Sequence, residues 1–289
     1  MSAAVSHDDT TIAGSTGSSG AGAGPGAVGP LESRLRAART AGRKLLVPYV
    51  TGGFPGWERT VDACAAAGAD AIEVGIPFSD PVMDGPTIQE ASERALAGGA
   101  TPQGIVGAMD DLDTGGVPLV VMTYYNTVYR YGHERFAASL VAAGVAGAIV
   151  PDLPLEEAGP WAQAADAAGV ETVLLAAPTA SDERLARVCA RSRGWVYGIG
   201  LLGVTGERDA LARSALEIAR RLKDTTDKPV LVGIGVSNAE QAAEVAAVAD
   251  GVIVGSALVR RLLDGGGPAA AGEFVAELRA GLDAAGAPP

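Results

Sequence analysis

Eight short, mostly apolar stretches, each followed by a helical pattern, recur along this sequence and limit what it can become. They are Lys44–Val50, Ala71–Gly75, Pro118–Met122, Gly147–Val150, Glu171–Ala176, Trp195–Gly198, Pro229–Val232 and Gly251–Val254. Helical patterns fill the intervals, at Thr60–Ala67, Thr101–Leu112, His133–Ala143, Glu156–Ala168, Asp182–Ala190, Ser214–Lys223 and Asn238–Val248. Strands apolar on both faces belong in a parallel sheet covered by helices on each side. Eight β/α units fit a closed (β/α)8 barrel of the TIM type, which takes about 250 residues as one domain. An open doubly wound sheet is the competing arrangement. The chain has 289 residues and is 48% hydrophobic, enough for a large core.

The barrel is expected over residues 31–289, opening with a basic amphipathic helix at LESRLRAARTAGR. Residues 1–30 are mostly Gly, Ala, Ser and Thr. Such a segment buries too little apolar surface to offset its ordering entropy, so a disordered extension is expected. It has neither a basic start nor an apolar core, unlike a secretory signal, and no apolar run is long enough to span a membrane. A cytoplasmic location is the expectation.

The second strand and the loop after it hold the most chemistry. Alternation places Glu73 on the face opposite Ile72, Val74 and Ile76. A carboxylate inside an apolar strand costs several kcal/mol unless it is paired, hydrogen-bonded or protonated. Pro77, Pro81, Gly85 and Pro86 then force a turn-rich loop carrying Asp80 and Asp84, followed by an extra helix at Ile88–Ala97. Two carboxylates in different settings suit acid–base chemistry. The alternative is a Glu held by a neighbouring hydroxyl, with loop aspartates serving as turn and helix caps.

Barrels of this type react at the loops that follow strands. After the third strand come Tyr124, Tyr125 and Asn126, an aromatic wall with an amide. The fourth strand leads to Asp152, a mouth residue or a cap for the next helix. The sixth leads into VYGIGLLGVTGERDA, a glycine-rich candidate lid. GIGVS, Gly233 to Ser237, follows the seventh strand, and GSA, Gly255 to Ala257, follows the eighth. Glycines there let backbone amides approach an anion, and a short helix opening at Ser256 adds its dipole. A phosphorylated ligand is expected, with tight turns as the plainer reading.

Net charge is −12, which argues against nucleic acid or an anionic membrane as partner. The two cysteines, Cys64 and Cys189, sit in helical patterns without metal-ligand spacing and read as buried thiols. His7 lies in the unpatterned tail and His133 at a helix start, a solvated setting, so neither a His-bearing triad nor a zinc site is expected.

Glu73, the run GIPFSDPVMDGPTIQ from Gly75 to Gln89, Tyr124 with Asn126, PDLP at Pro151–Pro154, GVTG at Gly203–Gly206, GIGVS and GSA together resemble the tryptophan synthase α-subunit family. The resemblance covers the chain from about Leu31 to Ala284, and its second-loop run is the most specific part. It implies a carbon–carbon lyase that cleaves indole-3-glycerol phosphate to indole and glyceraldehyde 3-phosphate, with no cofactor of its own. On this resemblance Glu73 is the acid–base and Asp84 receives the indole N–H. Tyr124, Tyr197 and Thr205 bind substrate, Thr205 closing over Asp84. Gly206, Gly235, Gly255 and Ser256 gather the phosphate. The implied partner is a pyridoxal-phosphate-dependent β-subunit in an α2β2 complex, facing Pro77, Asp80 and Pro81. One stretch departs from the family pattern: Gly200 and Leu201 stand where a Ser–Arg or Ser–Thr pair is usual. A stand-alone lyase and a catalytically idle regulatory relative are the other readings.

Overall fold

The computed structural model describes residues 28–200, 208–233 and 235–286. Most of the expected extension, residues 1–27, lies outside them, and the first helix begins at Pro30, the last residue assigned to that extension.

The eight expected strands all form: β1 (Leu45–Thr51), β2 (Ile72–Gly75), β3 (Leu119–Met122), β4 (Val145–Ile149), β5 (Glu171–Ala176), β6 (Val196–Ile199), β7 (Val230–Gly233) and β8 (Gly251–Val254). Each pairs in parallel with its sequence neighbours, and β8 pairs back to β1, closing the barrel and excluding the open sheet. Around it run α1 (Pro30–Thr40), α2 (Trp57–Ala66), α3 (Pro86–Ala97), α4 (Pro102–Ala108), α5 (Tyr125–Tyr131), α6 (His133–Ala142), α7 (Gly159–Ala168), α8 (Asp182–Arg191), α9 (Arg208–Thr225), α10 (Ala239–Ala246), α11 (Ser256–Leu263) and α12 (Gly267–Gly286). Among the described residues, no helix is long and apolar enough to cross a membrane.

Strand alternation sorts the core into two bodies. Ile72 and Val74 of β2, with Ile76 just beyond it, pack outward under the helices, whereas Ala71 joins Val47, Val120, Ile149 and Trp195 in the barrel's interior. Glu73 therefore points inward, as its spacing requires.

The N-terminal end of the barrel is plugged by α1, whose Leu31 and Leu35 belong to the interior cluster. Its first amides need acceptors, and Glu171 supplies them from the floor of β5: Leu31 N donates to Oε1 at 2.7 Å and Glu32 N to Oε2 at 3.1 Å. Gly29 has no room for a side chain, since a Cβ there would come within 2.3 Å of that carboxylate. Two further aspartates brace the same end. Asp70 accepts from Leu46 N at 2.9 Å and pairs with Arg43 and Arg279. Asp250 accepts from Val230 N at 2.9 Å and pairs with Arg39 and Lys223.

Three details differ from the sequence expectations. The tyrosine-rich segment after β3 is a helix, α5, and not an open loop. His133 is half-buried rather than solvated: its Nε2 lies 3.1 Å from the Tyr125 hydroxyl, and its ring packs against Tyr125, Tyr129 and Trp161. Asp152 serves a helix start, but not that of the next helix: its Oδ1 accepts from Tyr125 N at 2.8 Å, at the start of the earlier α5. Cys64 and Cys189 are free and buried, as expected.

Candidate active site

The C-terminal ends of the strands carry the site residues, beginning with Glu73. Its register partner is Tyr49 on β1 and, across β3, Val120. The residue is 1% exposed, and among the described residues no donor reaches its Oε2. Burial, with the charge of Asp84 as a second cause, pushes its pKa up to about 8. Among the described residues no hydroxyl is bonded to that oxygen. At neutral pH this carboxyl holds a proton.

Asp84 is brought toward Glu73 by a loop fastened at several points. Phe78 stacks on Tyr124 with ring centres 5.1 Å apart and planes inclined by 24°. The Tyr124 hydroxyl accepts from Met83 N at 2.9 Å, and Gln89 Nε2 donates to the Asp84 carbonyl at 2.7 Å. Pro86 then starts α3, its fixed φ suiting the first helical turn. Burial raises the Asp84 pKa, and the Tyr124 hydroxyl pulls it part of the way back. Tyr124 is thus a buried anchor of the acidic loop. Asp80 stays outside this arrangement, taking a hydrogen bond from its neighbour Ser79 on the exposed part of the loop.

Tyr197 reaches the same region from β6. Its pKa is raised well above the usual phenol value by burial, then by Glu73, Tyr49 and Asp84, which places these four groups in one electrostatic cluster. Its ring lies along β7, where a Cβ on Gly233 would meet the hydroxyl at 2.7 Å.

The phosphate candidates sit on adjacent strands. Gly235, after β7, adopts φ +69°, a left-handed conformation suited to glycine, with no atom within 4 Å of where its Cβ would stand. Gly255 precedes α11, which starts at exposed Ser256 without a side-chain cap. The first amides of that helix have no intrahelical acceptors and carry the positive end of its dipole. Thr205 and Gly206 lie outside the described residues, as does Leu201 of the altered lid. Among the described residues no group of three His, Cys, Asp or Glu side chains could hold a metal ion.

One member of the cluster was not singled out from sequence. Tyr49 is 6% exposed, and its phenol is driven above its usual pKa by burial, then by the Asp84 charge; the Thr51 hydroxyl works the other way but is not aligned as a hydrogen bond. The alternation that turned Glu73 inward also turns Tyr49 inward once the two strands are paired, so register was the missing signal.

The arrangement brings together at one mouth a buried carboxyl with a raised pKa, a second carboxyl and two phenols, with a left-handed glycine turn and an uncapped helix start on the adjacent strands. A family model described as "Tryptophan synthase alpha chain" matches residues 35–278. The tryptophan synthase alpha chain of Thermobifida fusca is 47% identical over 265 residues, covering 88% of this chain and 98% of that protein. That of Streptomyces coelicolor is 48% identical over 256 residues, covering 87% and 94%. Among solved structures, a tryptophan synthase of Mycobacterium tuberculosis superposes with TM-score 0.81 at 41% identity, covering 89% of this chain and 99% of that one. The tryptophan synthase subunit alpha of Legionella pneumophila gives TM-score 0.79 at 32% identity, covering 89% and 100%.

Proposed function

The chain belongs to the tryptophan synthase alpha chain family, lyases of tryptophan biosynthesis, and we propose that Glu73 and Asp84 carry its cleavage of indole-3-glycerol phosphate. The observation that bears this reading is the Glu73 carboxyl, buried, proton-holding at neutral pH and with one oxygen undonated. Ring carbon 3 must gain a proton before the bond to the glycerol side chain can break. Glu73 supplies that proton. The positive charge then sits on the indole nitrogen, where Asp84 accepts the N–H and stabilises it. As the carbon–carbon bond breaks, its electron pair returns to the ring, and the adjacent hydroxyl becomes an aldehyde. Its proton goes back to the Glu73 carboxylate, so the acid is restored and indole and glyceraldehyde 3-phosphate leave.

Tyr197 lines the ring pocket in this reading, and Tyr124 positions Asp84 through Met83. Gly235, Gly255 and Ser256 hold the phosphate with Gly206, and Thr205 closes over Asp84. The partner is a pyridoxal-phosphate-dependent β-subunit in an α2β2 assembly that takes up the indole. The surface offered to it is the second loop, where Val82 is 76% exposed and Met83 47%. A groove of about 550 Å³ lies beside it, lined by Pro77, Phe78, Asn126 and Tyr131 among others.

Steady-state indole release by Glu73→Gln and Asp84→Asn tests the assignment. A folded Glu73→Gln that stays within about tenfold of the parent would remove Glu73 from the chemistry, since general acid–base groups contribute about 10²–10⁴. Titration with a β-subunit, read by hydrodynamic size, tests the partner.

A further inference from the structure

Two tyrosines at the mouth are seated in the same unusual way. Tyr197 on β6 pairs with Leu231 on β7, and its hydroxyl occupies the place of a side chain two residues further on, at Gly233. Tyr49 on β1 pairs with Glu73 on β2, and its hydroxyl occupies the place of a side chain two residues further on, at Gly75. The second fit is the tighter. A Cβ on Gly75 would stand 1.9 Å from the Tyr49 oxygen and 2.4 Å from the ring carbon bearing it. On its other side Tyr49 meets Gly255, where a Cβ would lie 3.5 Å from the tyrosine's own Cβ. The ring is thus wedged between β8 and β2, directly beside the inward-facing Glu73.

We propose that Tyr49 is a positioning residue for Glu73: its ring, seated on Gly75, closes the wall beside that carboxyl and keeps water from it. The inference rests on Glu73 acting as the acid. Glycine at 75 is what permits the arrangement, because any side chain there would expel the ring. A carboxyl stripped of water keeps its proton; one reached by water ionises at its ordinary pH. The groups that act on Glu73 or feel its charge are Asp84 from the loop after β2, Tyr49 from β1 and Tyr197 from β6, with Tyr124 acting on Asp84. Of these, Asp84 acts on Glu73 through its negative charge, which favours the protonated form. Admitting water beside Glu73 therefore works against both the burial and the Asp84 effect.

The experiment is the pH profile of kcat/KM and kcat for indole release by Tyr49→Ala, Tyr49→Phe, Gly75→Ala and Glu73→Gln, each checked for folding by circular dichroism and thermal melting. In the parent the kcat/KM limb set by Glu73 deprotonation in the free protein should lie near pH 8. Tyr49→Ala should bring that limb down by about one pH unit or more, lowering kcat at pH 7.5 by more than it changes KM. Gly75→Ala should do the same with the tyrosine still present, because the new methyl displaces the ring. Tyr49→Phe keeps the ring and should restore the parent profile. A folded Tyr49→Ala or Gly75→Ala whose limb coincides with the parent's overturns the inference. A Glu73→Gln that retains activity overturns instead the acid assignment on which it rests, so the two failures are distinguishable.

Discussion

Two glutamates lie inside this barrel at opposite ends, and their surroundings could hardly differ more. Glu171, fully buried at the N-terminal end, has its pKa raised by burial, but two backbone N–H donors from α1 and the neighbouring Arg193 work against that rise. Glu73, equally buried at the C-terminal end, has one oxygen that no described donor reaches and an acidic neighbour in Asp84. The same division extends to the aspartates. Asp70 and Asp250 at the N-terminal end each accept a backbone N–H and pair with two cations, whereas Asp84 at the mouth has Tyr124 to oppose its burial. One end is electrically closed and holds the barrel shut. The other leaves carboxyls unmatched, a state that costs stability and keeps a proton available near neutral pH.

The largest test of this contrast is an exchange of roles. Glu73→Gln should cut kcat by about 10²–10⁴ while leaving the fold intact. Glu171→Gln, which keeps an acceptor for α1, should leave kcat within about twofold, because it acts through no group that reaches the mouth. Equal losses of rate in the two would break the comparison.

Next in size is stability. Glu171→Ala strands two buried N–H groups, each worth about 1–3 kcal/mol, so a loss of about 2–6 kcal/mol is expected from chemical denaturation. Glu73 works in the opposite sense. Its pKa rises from 4.5 in the open chain to about 8 in the fold, so the folded state binds the extra proton. Its favourable contribution is complete below about pH 4.5 and is lost progressively as pH rises to about 8, the loss reaching about 3 kcal/mol by neutral pH. The difference in unfolding free energy between Glu73→Gln and the parent should therefore grow in favour of the variant across that window. A flat difference would mean that Glu73 is ionised in the fold.

These tests also show what the sequence could disclose. The eight strands were legible because parallel strands in a covered barrel are apolar on both faces, and that pattern needs no tertiary knowledge. Glu73 was legible as the odd polar residue on one of them, and Asp84 through the proline- and glycine-rich loop that carries it. Helix α5 was not, because YYNTVYRY has no clear apolar periodicity and its cap, Asp152, lies 27 residues away. Helix α12 was missed for a similar reason: its Gly- and Ala-rich sequence blurs the contrast between faces. Glu171 reads as nothing more than the polar start of a strand. Its role appears only when α1 folds back across the barrel floor. Tyr49 likewise looks like an ordinary strand residue until pairing sets it beside Glu73.

The smallest expected effect concerns Asp152, a mouth carboxylate that does have a partner. Helix α5 begins after Tyr124, which offers no cap of its own, and Asp152 Oδ1 takes the Tyr125 N–H at 2.8 Å from the loop after β4. Losing such a cap costs about 0.5–2 kcal/mol. Tyr124 is the residue immediately before that amide, and its hydroxyl fastens Met83, one position ahead of Asp84. Fraying the first turn of α5 should therefore loosen the acidic loop as well as the helix. Asp152→Ala is expected to lower stability by about 1 kcal/mol and kcat by a few-fold, with KM changing less. Asp152→Asn retains a side-chain oxygen that can accept the same N–H, and should recover most of both. At the N-terminal end the corresponding change, Asp250→Asn, should reduce stability and leave kcat alone, because Val230, Arg39 and Lys223 touch nothing at the mouth. Should Asp152→Ala lose stability with no change in kcat, the loop would be held by the Phe78–Tyr124 stack and the Met83 and Gln89 hydrogen bonds without help from the first turn of α5, and the mouth would owe less to its carboxylates than the contrast between the two ends implies.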